Sequence, residues 1–127
     1  MAKSKLIASF EEACKKEGLN PEDETPFKNP SNGRQLAVNA AAKLFIISKS
    51  LNGDWVADWD NWDQYKYYPW FDMRTSAAGG SGFSYAGFDC DAGGSFVGSR
   101  LVYKDRQTAE YAGKQFIDIY RDLMVVE

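Results

Sequence analysis

The chain has 127 residues, 44% of them hydrophobic and 26% charged, a net charge of −3 and no histidine. Such values suit one domain, 1–127, that needs neither disulfide nor metal to bury a core, and they give no global attraction for nucleic acid or an anionic membrane. Without histidine, Ser-His-Asp and Cys-His nucleophile activation are excluded, together with the commonest zinc ligand.

Lysines and acids interrupt every apolar run in the opening MAKSKLIASFEEACKKEG, so no signal peptide is expected. No stretch approaches the length of a membrane span. With Cys14 and Cys90 in unlike contexts, the plain expectation is a cytoplasmic protein with two free thiols. Residues 5–17 read as a first helix, with Leu6, Ile7, Phe10, Ala13 and Cys14 at helical spacing and Gly18 as a left-handed cap. Residues 20–33 carry three of the four prolines and read as a loop. A second helix is expected over 34–50, its broad apolar face (Leu36, Ala40, Leu44, Ile47 and Leu51, widened by Val38, Ala41 and Phe45) implying burial on more than one side. Asn52-Gly53 closes it.

Between Asp54 and Met73 lie all four tryptophans, three of the seven tyrosines and five aspartates. Within this aromatic segment, 64–73 reads as a strand, with Pro69 placing it at an edge or breaking it there. A small-residue turn at 75–82 leads to a second strand at 83–88 and a loop at 89–95. The alternation of Val97, Ser99, Leu101 and Tyr103 marks a third strand over 96–104. Asp105 caps a final helix whose inner stripe is Ala109, Ala112, Phe116, Ile119 and Leu123, with Gly113 allowing a close crossing. The order α-α-β-β-β-α predicts an α+β fold: a three-stranded antiparallel meander with helices packed on one face.

Alternate aspartates invite a calcium reading, but the EF-hand pattern fails. With Asp58 first, Trp62 fills a ligand position, Asp63 replaces the required glycine and no glutamate closes the loop. Turn-forming Asx chemistry accounts for the same residues. Rings flanked by acids, Trp55, Trp59, Trp62, Tyr65 and Tyr68 with Asp58 and Asp60, are the candidate ligand-binding set. Their competing role is to fill a small core. SGFSYAGF resembles the RNA-recognition strand signature at Gly82, Phe83, Tyr85 and Phe88, but its leading base is Ser81 and the strand order is wrong for that fold. Lys66 is the only basic residue between Asn52 and Met73, which disfavours single-stranded nucleic acid. Asp89 and Asp91 flank Cys90 and dull its thiol. Gly93-Gly94-Ser95 lacks the lysine of a phosphate loop. Asp118 and Asp122 form a solvated like-charged pair.

Through NGDWVADWDNWDQYKYYPWF, VGSRLVYK and AEYAGKQFIDIY, the chain resembles a small protein family of Bacteroides-type gut bacteria and their phages or mobile elements. The likeness spans about 34–122 and is most specific in QYKYYPWF and YAGKQF. At 83–88 this chain departs from the Gly-Phe-Gly-Phe of that family. The resemblance brings no activity and no functional residues; it implies a stand-alone accessory protein of phage-related origin.

These readings converge on a non-catalytic binding module contacting a protein or peptide partner through exposed aromatics. The alternative is carbohydrate binding through Trp and Asp side chains. A carboxylate- or metal-dependent enzyme comes third. No catalytic residue, metal, cofactor or membrane partner is expected.

Overall fold

In a computed structural model, which describes residues 6–74, 83–95 and 97–126, four of the five α-helices described begin where the sequence offers a side-chain oxygen to their first amides. Ser9, extended in its backbone, accepts from the Glu12 amide at 3.1 Å, so α1 (Phe10–Glu17) starts four residues after the first described position rather than at residue 5. Ile7 reaches the core as non-helical chain ahead of it. Gly18 closes α1 at φ +73°, with the Leu19 amide on the Cys14 carbonyl at 2.8 Å. Within the expected loop, Asn20 caps a single turn, α2 (Pro21–Glu24).

The long helix α3 (Gly33–Asn52) opens on paired caps: Asn32 accepts from the Gln35 amide, and the Gln35 side chain accepts from the Ser31 amide. Ala40, Leu44, Ile47 and Leu51 are buried as their spacing predicts. Leu36, Val38 and Phe45 are exposed, so the buried face is narrower than expected. Two asparagines on α3 clamp other backbone segments. Asn39 accepts from the Phe27 amide and donates to the Phe27 carbonyl, and Asn52 donates to the Val102 carbonyl and accepts from the Lys104 amide.

The expected three-stranded meander is not seen. Among the described residues the sheet has two antiparallel strands, β1 (Lys66–Asp72) and β2 (Ser84–Asp91), with Tyr67 opposite Cys90 and a bulge at Ala86. Where a third strand was expected, Ser99–Leu101 winds into a 3-10 turn. Of the described residues there, only Tyr103 joins the sheet, by an isolated antiparallel bridge to Tyr67, and it joins β1 rather than β2. β1 therefore stands between its two partners. Continuing the bridge would set Pro69 opposite Leu101, and proline has no N–H to give. In the other direction the register arrives at Asp105, whose carboxylate accepts from the Thr108 amide at 2.8 Å to start the next helix. Proline on one side and a helix cap on the other confine the third strand to one residue. The expected turn at 75–82 and Phe96 lie outside the described residues.

The expected single last helix is also divided, into α4 (Arg106–Gln115) and α5 (Ile117–Met124), by Phe116 at φ −110° and ψ 29°. The Phe116 amide still bonds to Ala112, while its carbonyl accepts from Ile119 and Tyr120. Ala109, Ala112 and Phe116 are buried as expected. Beyond the break Tyr120 takes the inner position, leaving Ile119 and Leu123 half-buried. Gly113 does provide a close crossing: a Cβ there would lie 2.6 Å from Pro69 Cβ and 2.8 Å from the Tyr85 ring.

The core between α1, α3, α4, α5 and the sheet is rich in rings. Phe71 stacks on Phe83 at 4.7 Å and packs against Tyr120 at 4.9 Å. Within it Ser48 Oγ donates to the Tyr103 hydroxyl at 2.9 Å, and the Tyr103 and Tyr120 hydroxyls share a hydrogen bond of 2.8 Å. Burial pushes both phenols above their ordinary ionisation range.

Tyr103→Phe keeps the ring but leaves the Ser48 and Tyr120 hydroxyls short of a buried partner, so urea denaturation should show a loss of about 1–3 kcal/mol. Gly113→Ala should destabilise by roughly 1–2 kcal/mol even though alanine is the better helix former, because overpacking against the Pro69 ring outweighs the gain in propensity. A stabilised Gly113→Ala protein would contradict the close crossing.

Candidate functional site

The aromatic segment divides into a held scaffold and a presented surface. Lys66, at the start of β1, is fully buried. Its ammonium donates to the carbonyls of Asn61 at 2.9 Å and Ala92 at 2.7 Å, and lies 5.1 Å from the Trp59 ring centroid. One cation thereby fastens the loop before β1 to the loop after β2. Gln64 tightens the first loop, accepting from the Asp58 amide at 2.6 Å and donating to the Val56 carbonyl at 3.2 Å. Asp58 Oδ1 accepts from the Asp60 amide and Asn61 Oδ1 from the Asp63 amide, which are the Asx turns such a sequence favours. Trp62 lies so close over Gly93 that a Cβ there would sit 2.7 Å from its ring.

On this scaffold the candidate residues part company. Trp55 is half-buried and lines a hollow of about 270 Å³ with Phe45, Lys49 and Arg100. Trp59 is half-buried over Lys66. Trp62 is 72% exposed and Tyr65 is 53% exposed. Tyr68 is buried, and burial, reinforced by Asp91, Asp89 and Cys90, pushes its phenol up to about 12. Asp58 and Asp60 are exposed, the first already engaged in its turn. Asp72, further along, is drawn off by Arg74, whose guanidinium hydrogen bonds hold its carboxyl down at about 2. The set does not converge on one centre. Among the described residues no group of three or more His, Cys, Asp or Glu is placed to hold a metal ion.

A more coherent surface involves a ring outside the candidate set. Trp70, 57% exposed, and Met73, 48% exposed, stand with Tyr68, Val97, Met124 and Asp89 around a groove of about 380 Å³. The missed signal was strand alternation. Counting by two from Lys66 places Tyr68 and Trp70 on the sheet face away from α4. Tyr67, Pro69 and Phe71 face the other way, where Pro69 meets Gly113 and Phe71 meets Tyr120.

Rings elsewhere lie beneath cations: Phe10 under Lys43, Phe45 under Arg100, Phe83 under Arg121, Tyr85 under Lys114 and Phe88 under Arg106. With Lys66 over Trp59, this far exceeds the one or two cation–ring pairs that about 127 residues ordinarily hold. Trp62, Tyr65 and Trp70 carry no such cover among the described residues. The thiols offer little chemistry. Both cysteines are free, and burial pushes each thiol up, aided at Cys90 by Asp89 and Asp91.

Lys66→Met keeps the stem and removes the charge-assisted hydrogen bonds. It should cost roughly 2–4 kcal/mol and shift tryptophan emission to the red as the two loops separate, measured by urea titration with fluorescence detection. No protein-family model, curated protein or solved structure matches the chain.

Proposed function

We propose that this protein is a non-catalytic binding module that holds a protein or peptide segment on the presented part of its aromatic segment. The reading is supported above all by one observation: Trp70 near the end of β1 and Met73 just past it stand half-exposed beside an open groove, next to Tyr68, Pro69 and Phe71, which are buried. A partner would thus meet large apolar groups already held in place, which lowers the entropy lost on binding. Tryptophan and methionine suit such contacts, the first as a rigid anchor and the second as an adaptable one. In keeping with the resemblance in its sequence, the module would act as a stand-alone accessory protein of phage-related origin.

Carbohydrate binding is the second reading, carried by Trp62 and by Asp58 and Asp60, all exposed on the same loop. It is the weaker one because Asp58 already accepts a backbone hydrogen bond within its own turn. The groove beside Trp70 is, moreover, lined chiefly by apolar side chains rather than by the several polar groups that sugar hydroxyls require.

The test sets a phage-displayed random peptide library against a glycan array. Selected peptides should bind the full chain, and Trp70→Ala should weaken them at least tenfold, or about 1.4 kcal/mol, with the melting temperature nearly unchanged. Glycan hits abolished by Trp62→Ala and indifferent to Trp70→Ala would move the site to the loop and favour the sugar.

A further inference from the structure

The two edges of the sheet differ in how they are closed. Tyr67 exchanges both backbone hydrogen bonds with Tyr103, at 3.0 Å and 2.6 Å, so its N–H and C=O point away from β2. By antiparallel alternation the Pro69 carbonyl and the Phe71 amide and carbonyl point to that same side. Among the described residues no backbone group pairs with them there, because Ser99–Leu101 has turned away into its 3-10 turn. The outer edge of β2 is blunted instead. Its Cys90 amide is taken by the Asp89 carboxylate at 2.8 Å, and the Ala86 bulge, with Gly87 at φ +150°, interrupts the ladder. The groove lined by Trp70, Met73, Val97 and Met124 lies along β1, the unblunted strand.

Resting on the peptide-binding reading above, we propose that the partner is an extended, basic peptide segment that adds as a strand to the edge of β1 left unpaired among the described residues at Pro69 to Phe71. Its backbone would donate to the Pro69 carbonyl and take up the Phe71 amide and carbonyl, while alternate side chains enter the groove. Charge complementarity sets its composition. Asp89 is the one charged residue lining the groove among the described residues, in a chain of net charge −3. β2 lies two strand spacings from an added strand, roughly 9–10 Å, within the span of a lysine or arginine meeting an aspartate. The segment is therefore apolar at the positions over Met73, Val97 and Met124, with a lysine or arginine directed at Asp89. Pro69 keeps the added strand short, since no N–H is available there.

The experiment takes peptides selected from a phage-displayed random twelve-residue library on the full chain, then scans a synthetic binder by backbone N-methylation. Methylation at alternate positions should weaken binding at least tenfold and at intervening positions less than twofold. Amide exchange at Phe71 should slow in the complex. Asp89→Asn, which retains an oxygen for the Cys90 amide, should weaken peptides bearing lysine or arginine about three- to tenfold and leave glutamine-substituted peptides unchanged. A flat N-methylation profile, with Trp70→Ala still abolishing binding, overturns strand addition while the binding-module reading stands. Equal binding of glutamine-substituted peptides overturns the basic partner. Concentration-dependent dimerisation that protects Phe71 without peptide overturns the peptide in favour of a second copy of this chain. If no selected peptide responds to Trp70→Ala, both the inference and the reading beneath it fall.

Discussion

Tyr103 is the point through which the structure is tied. Its backbone pairs with Tyr67 of β1, its hydroxyl accepts from Ser48 of α3, and the same hydroxyl meets Tyr120 of α5. Three elements distant in sequence are thereby registered by one fully buried side chain and its peptide group. A buried polar network of this kind stabilises only when every member is satisfied. The adjoining clamp by Asn52, on Val102 and Lys104, holds the backbone on either side. Together they substitute for the hydrogen bonds that a full third strand would have made.

The aromatic segment meets a related constraint by different means. A two-stranded sheet has little independent stability, so each of its faces needs cover. The helices cover the face bearing Tyr67, Pro69 and Phe71, where Gly113 lets α4 approach the strand. Loops cover part of the opposite face, and loops carry polar backbone. Lys66 resolves that conflict by giving its buried ammonium to two loop carbonyls and an indole ring. Asp58 and Asn61 close to it shape turns with their side-chain oxygens. The ring-and-acid composition that suggests a ligand centre is thus largely accounted for by how a thin sheet is shielded.

What remains presented lies where the shielding stops. Past the Tyr67–Tyr103 bridge the chain leaves the sheet, and Trp70 and Met73 come out beside the groove that its departure opens. The incomplete third strand and the groove beside Trp70 both lie where pairing along β1 stops at Pro69.

Local chemistry made much of this legible in the sequence. The cap at Asp105, the left-handed Gly18, the buried stripe of α3, the role of Gly113 and the Asx turns all follow from interactions among near neighbours or from a residue's own conformational range. The position of the edge left unpaired among the described residues was legible only in part: Pro69 signalled an edge, but not which side of which strand. The third strand was misread because residues 97–103 alternate correctly, and alternation reports a half-buried extended chain without naming the partner that must pair with it. The break at Phe116, the bridge to β1 rather than β2, and the emergence of Trp70 instead of Tyr68 belong to the tertiary structure. Each depends on hydrogen bonds and contacts between residues far apart in sequence. By itself the sequence determined the α+β class, most of the helices and where the rings are concentrated; packing alone decided which rings became core and which were left exposed, because burial is a property of what closes over a side chain and not of the side chain itself.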